Sequence, residues 1–150
     1  MNILFVCTGN TCRSPMAEAL LKARAKTVKG ISVKVKSCGI SVEYGSTVAF
    51  ETRQLLKQQK IITRHVPTQI NKNLLKWADL ILTMTEDQSF AIKNATGLSN
   101  IYSFGEYVGH GDVIDPYHRG MEQYKCTMNQ LNEYIDKLLE KLLFLKKVNE

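Results

Sequence analysis

Cys7 and Arg13 stand six positions apart in the run VCTGNTCRSP, with a Gly-Asn turn between them. A cysteine does chemistry as the thiolate. Main-chain N–H groups curled around an anion, a helix N-terminus aimed at it and a neighbouring arginine all favour that form. The same donors would hold a tetrahedral oxyanion over the sulfur. The planar fork of Arg13 can grip two phosphate oxygens at once. This combination points to phosphoryl transfer through a cysteinyl phosphate, with Cys7 as nucleophile and Thr8, Gly9, Asn10, Thr11, Cys12, Arg13 and Ser14 forming the phosphate-binding loop. The loop is not a nucleotide-binding one, because it lacks the Gly-Lys-Ser/Thr ending. Nor is it a dinucleotide fingerprint, which places glycines where Asn10 and Cys12 stand.

Breaking the bond to a leaving group also takes a proton donor. The segment GDVIDPYHRG offers Asp112 and Asp115. Pro116 stiffens the backbone after Asp115, and Tyr117 supplies a flat wall beside it. Asp115 is therefore the expected general acid. It first protonates the leaving atom and then, as carboxylate, activates the water that cleaves the phosphocysteine. Each piece alone has a plainer reading, as a packed cysteine or an ordinary Asp-Pro turn. The conjunction of all of them in one chain carries the inference.

Positioning these groups requires a scaffold, and the periodicities describe one. Asn2 to Val6 (NILFV) is a continuous apolar run, as in a strand covered on both faces. Ser14-Pro15 opens a helix that runs to about Val28, and Gly30 ends it. ISVKVKS at 31–37 alternates apolar and basic residues and predicts a strand near a sheet edge. Helices are expected at about 47–60 and 71–77, a strand at 78–84, a helix at 86–95 and a strand at 100–104. A long loop follows at 105–120, then a final helix at about 121–145 with Leu131, Ile135, Leu138, Leu139 and Leu142 at helical spacing. The alternation predicts a single α/β domain over residues 1–150, a four-stranded parallel sheet flanked by helices. In such sheets ligands sit beyond the carboxyl ends of the strands, where Cys7 and the 105–120 loop would meet.

At 150 residues the chain can bury one core without disulfides. Its four cysteines form no CxxC pair and have no histidines at zinc spacing, so no metal is expected. Cys38 and Cys126 read as small core residues. The opening residues lack the basic region and long apolar stretch of an export signal, which predicts reduced thiols and a cytoplasmic location. No stretch is long and apolar enough for a membrane helix. The formal net charge of +6 suits a protein that meets phosphate. Its lysines are scattered, however, with no basic patch interleaved with aromatics, so nucleic acid is not an expected partner. Lys141, Lys146 and Lys147 read as a solvated helix end.

Over nearly its whole length the sequence resembles the low-molecular-weight protein tyrosine phosphatase family, with VCTGNTCRSP similar to its N-terminal motif and DPY to its acid loop. The resemblance implies Cys7 as nucleophile, Arg13 as transition-state clamp and Asp115 as acid. It also implies a Ser14 hydroxyl bonded to the Cys7 sulfur, no cofactor, and a monomer acting on phosphorylated proteins. Asn10 would be held in an unusual backbone shape by Ser37 and His65; asparagine tolerates the left-handed region better than most residues. Cys12 could form a reversible disulfide with Cys7, or simply pack beneath the loop.

The spelling CTGNTCRS is similar to the bacterial protein arginine phosphatase branch, in which a threonine at the position of Thr11 favours phosphoarginine. Its small side chain leaves room for a planar guanidinium, and Asp115 could pair with that group before donating its proton. Tyr117 is common in the phosphotyrosine group, and phosphotyrosine is the alternative substrate. The thiol-dependent arsenate reductases share the loop but need two more cysteines, which 83–95 lacks. A non-catalytic anion-binding domain fits poorly with an intact Cys7, Arg13, Ser14 and Asp115. Tyr44 is a further candidate wall of the pocket by its loop position.

Overall fold

A computed structural model describes residues 1–150. Ten elements alternate along the chain: β1 (Asn2–Cys7), α1 (Arg13–Ala25), β2 (Lys34–Gly39), α2 (Phe50–Gln58), α3 (Lys72–Trp77), β3 (Leu80–Thr83), α4 (Glu86–Thr96), β4 (Ile101–Ser103), α5 (Phe104–Val108) and α6 (Met121–Val148). The four strands are all parallel, in the order β2-β1-β3-β4. This is the α/β architecture read from the sequence, with β2 at an edge.

The continuous apolar run of β1 is explained by burial on both faces. Ile3, Phe5 and Cys7 point into a large cluster with Met16, Leu20, Leu56, Met128, Leu131 and Ile135. Leu4 and Val6 point the other way, toward Ile81, Ile92 and Ile101, with Leu74, Leu75 and Trp77 packed alongside. Helices α1, α2, α5 and α6 thus cover one face of the sheet, and α3 and α4 the other. Phe5 and Phe104 meet at 5.2 Å between ring centroids, linking the central strand to α5.

Several boundaries differ from the sequence reading. Helix α1, expected to reach about Val28, ends at Ala25. The strand expected at 31–37 runs from Lys34 to Gly39, because its partner strand begins only where Asn2 faces Lys34. Ile31 and Val33 instead pack at the margin of the large cluster. Helix α2 starts at Phe50 rather than 47, because Ala49 at its N-cap is extended (φ −55°, ψ 141°), its N–H donating to Thr11 C=O at 2.9 Å. The segment 104–108, expected as loop, is a helix with a reciprocal capping box between Ser103 and Glu106, closed by Gly109 at φ 86°. The expected strand 78–84 is trimmed to Leu80–Thr83. Two side-chain expectations also fail. Cys126 is exposed rather than packed in the core. The lysines of the last helix are not merely solvated: Lys141 donates to Tyr107 C=O at 2.8 Å and Lys146 to Gly30 C=O at 3.0 Å, tying α6 to α5 and to the loop before β2.

Candidate active site

The chain leaves β1 at Cys7 and enters α1 at Arg13, so the intervening loop wraps the N-terminus of that helix. Helix α1 has no side-chain N-cap. The main-chain N–H groups of Thr8, Gly9, Thr11 and Cys12 find no acceptor within the protein. Such a set of unpaired donors at the positive end of a helix is a ready anion cradle. Cys7 lies at its base, with Asn10 N–H donating to its sulfur at 3.2 Å and the Ser14 hydroxyl at 2.8 Å. The Ser14 oxygen accepts from Asn10 Nδ2 at 2.7 Å; with Cys7 as the thiolate the hydroxyl proton goes to the sulfur, which is nearer than its other acceptor, Cys38 C=O at 3.5 Å.

Asn10 holds the loop in shape. It is buried, with φ 57°, in the left-handed region that costs an ordinary residue about 1–2 kcal/mol. Its amide is fully used: Nδ2 donates to Ser14 and, at 3.0 Å, to Ser37, while Oδ1 accepts from Thr68 N–H at 2.9 Å and from His65 Nε2 at 2.6 Å. Because a carbonyl oxygen only accepts, the His65 proton sits on Nε2. Burial pushes the His65 pKa down; nearby Glu18 opposes this and Lys22 reinforces it. Gly39, at the end of β2, seals the same junction. A Cβ there would stand 2.6 Å from Thr8 C=O and 2.7 Å from Val42, so no larger residue fits.

The acid segment reaches the cradle from the far side. Val113 N–H donates to Met84 C=O just beyond β3, at 2.9 Å. Helix α6 holds the segment by its backbone: Tyr134 donates to Gly111 C=O, Gln130 to Asp112 C=O, and Thr127 to Ile114 C=O. These three residues, missed in the sequence, occupy one stripe of α6, and their polar interruption of an otherwise apolar face is the signal that would have found them. Asp115 is thereby placed with Oδ2 3.5 Å from Arg13 Nη2, and its Oδ1 accepts from Tyr117 N–H at 3.1 Å. Buried Arg13 also donates to Val113 C=O at 3.3 Å. Asp112 is used elsewhere, accepting Glu86 N–H at the start of α4.

These groups converge on a cavity of about 340 Å³ lined by Cys7, the loop through Arg13, Asp115, Tyr117 and the 41–49 segment. Tyr44 does not line it. Its side chain projects fully into solvent from a turn in which Ser46 N–H donates to Glu43 C=O, while Glu43 and Ser46 form the wall. Glu43 was missed in the sequence because an exposed loop carboxylate has no pattern to mark it. Thr11 lines the cavity, held by its own carbonyl bond to Ala49. Cys12 is buried, its sulfur 3.1 Å from the Tyr124 hydroxyl, and burial above all raises the pKa of its thiol. Cys38, in the second core, is pushed up to about 12 by burial.

A thiol at the floor of an unfilled amide cradle, with an arginine and a carboxylate facing it at the carboxyl end of a parallel sheet, defines a thiol-dependent phosphate-processing site. Comparison with known proteins agrees. The family model for low molecular weight phosphotyrosine protein phosphatases matches residues 2–148. A protein-arginine-phosphatase of Bacillus subtilis is 37% identical over 146 residues, covering 95% of this chain and 97% of that protein. The low molecular weight protein-tyrosine-phosphatase PtpB of Staphylococcus aureus is 38% identical over 140 residues, covering 92% and 96%. The solved YwlE arginine phosphatase from Geobacillus stearothermophilus superposes with a TM-score of 0.90 at 35% identity, covering 99% of this chain and 97% of that one. The chain belongs to the low molecular weight phosphotyrosine protein phosphatase family. It is a cysteine-dependent phosphatase, a hydrolase.

Proposed function

We propose that residues 1–150 act as one catalytic domain that removes phosphate from arginine side chains of proteins. Relatives named for arginine and for tyrosine are equally similar overall, so identity does not choose between them. The charge of the pocket supports arginine. Its lining carries one arginine, Arg13, against two carboxylates, Asp115 and Glu43. A phosphotyrosine brings only negative charge to that rim, whereas a phosphoarginine carries a guanidinium that the Glu43 carboxylate attracts, with Asp115, protonated as the acid, facing the leaving nitrogen. The small Thr11 leaves room for the guanidinium plane.

In this reading the Cys7 thiolate attacks phosphorus while Arg13 and the free loop amides hold the phosphoryl oxygens. Asp115 gives its proton to the departing guanidine nitrogen as the P–N bond breaks. The resulting carboxylate then takes a proton from water, which attacks the phosphocysteine. The Ser14 hydroxyl eases departure of the Cys7 sulfur, and inorganic phosphate leaves. Ser37 and His65 act on this chemistry through Asn10, as positioning residues. Cys12 would serve as the disulfide partner of an oxidised Cys7. The proposal includes a cytoplasmic monomer, in keeping with four free thiols.

Phosphotyrosine is supported by one observation: the ring of Tyr117 lines the cavity, half exposed, where it could stack on an aromatic substrate. Matched phosphoarginine and phosphotyrosine peptides distinguish the two readings when assayed with Thr11→Ile and Glu43→Gln. Thr11→Ile should lower the phosphoarginine-to-phosphotyrosine ratio of kcat/KM by about 10-fold or more. Glu43→Gln, on the exposed rim, should lower it by about 3-fold. A ratio unchanged in both variants would defeat the arginine reading.

A further inference from the structure

Behind the catalytic loop lies a second cavity, of about 930 Å³, wider than the one in front. It is lined by Ser37, His65 and Thr68, three of the four residues that hold the Asn10 side chain. Around it stand Lys22 and Lys26, one turn apart on α1, Lys36 on β2, and Lys60 and Arg64 from the segment after α2. Glu18 is the single carboxylate in the lining. It is bridged to Lys22 at 3.0 Å and faces His65 Nδ1 at 3.7 Å. Lys36 is engaged above the Trp77 ring. Lys26, Lys60 and Arg64 have no ion pair at all.

Lys60 adds a second, independent mark. Helix α2 ends in a Schellman turn, with Ile61 N–H on Leu56 C=O and Lys60 N–H on Lys57 C=O. The residue after the cap must then be left-handed, and Lys60 is, at φ 61°. Glycine or asparagine takes that position at far lower cost. Here the cost is borne by a lysine that lines the cavity.

We infer that this cavity is a second anion site, that it takes a polyphosphate, and that its occupancy is passed to the catalytic loop through His65 and Asn10. Five cations spread around so wide a space suit several linked phosphate groups better than one. The small apolar patch of Ile61, Ile62 and Leu74 leaves room for a nucleoside at one end, so the polyphosphate could be inorganic or part of a nucleotide. An anion there competes with Glu18 for Lys22. That changes the charge beside the His65 ring, which bonds Asn10 on its other side.

The test uses the full chain, p-nitrophenyl phosphate as substrate, and inorganic tripolyphosphate or ATP, each without added metal. This substrate makes the outcome independent of whether the natural one is phosphoarginine. An anion bound only over Cys7 is a competitive inhibitor and raises KM alone. Binding behind the loop should lower kcat by about two-fold or more and shift the His65 ring nitrogen resonances. The triple variant K26Q/K60Q/R64Q, with wild-type kcat and KM in the absence of anion, should lose both effects. Response to ATP but not tripolyphosphate would mean that the nucleoside is read as well. Purely competitive inhibition, identical in wild type and triple variant, would overturn the inference. So would the absence of any effect.

Discussion

Two cavities back onto one asparagine, and they are charged in opposite senses. In front of Asn10, the space over Cys7 is lined by one arginine and two carboxylates. Behind it, five cations surround a single glutamate. Charge alone would have a protein of net charge +6 that handles phosphate gather its lysines at the catalytic mouth, yet no lysine lines it. The difference teaches that front-side phosphate recognition is done by short-range, directional donors: backbone amides, one buried guanidinium and a helix terminus. Bulk positive charge is not needed there and would attract dianions indiscriminately. With carboxylates at the rim, the front pocket favours a substrate that brings its own cation.

The largest break in this comparison should come from Asp115→Asn. It removes the proton donor but leaves the cradle intact, so kcat on phosphoarginine should fall by about 10²–10⁴-fold. KM should change little. A loss confined to KM would mean that Asp115 only binds the guanidinium. Next is the partition itself. Gly39→Ala would drive a methyl group toward Thr8 C=O and Val42. The urea midpoint should report about 1–3 kcal/mol of destabilisation, with kcat falling as the loop shifts. A stable, fully active variant would show that the junction between the two cavities is loose.

The smallest effect concerns His65. Its pKa lies below 6.5, chiefly through burial. The unfolded chain therefore takes up a proton at this site before the folded one does. Its contribution to stability is complete above pH 6.5 and is lost progressively as pH falls from there toward the folded value. Urea midpoints at about pH 7.5 and 5.5 should differ more in wild type than in His65→Asn. Equal pH dependence in both would mean that the attraction of Glu18 cancels the effect of burial, so that the ring titrates alike in the folded and unfolded chain.

What could be read from the sequence divides along the same line. The front loop is local: Cys7, Arg13 and Ser14 lie within one strand–helix turn, and their spacing alone implies their convergence. That β1 is covered on both faces follows from its unbroken apolar run. Asp115 is distant in sequence, yet Asp-Pro-Tyr in a glycine-rich loop marked it. The rest depends on three-dimensional placement. Glu43 reaches the rim because a four-residue turn points Tyr44 outward, and no periodicity announces that. The back cavity draws cations from α1, β2 and the segment after α2, and in one dimension these look like scattered surface lysines. Helix α5 was legible in principle, since Ser103 and Glu106 have capping-box spacing, but a five-residue helix is too short for periodicity to reveal.

The central claim is that Cys7 removes phosphate from arginine in a pocket whose charge suits a guanidinium. It is tested most directly by kcat/KM on matched phosphoarginine and phosphotyrosine peptides, with Cys7→Ser measured alongside. The expected result is a clear preference for phosphoarginine and no turnover of either peptide by Cys7→Ser. Preference for phosphotyrosine would contradict the reading of the rim, and turnover surviving in Cys7→Ser would contradict the mechanism itself.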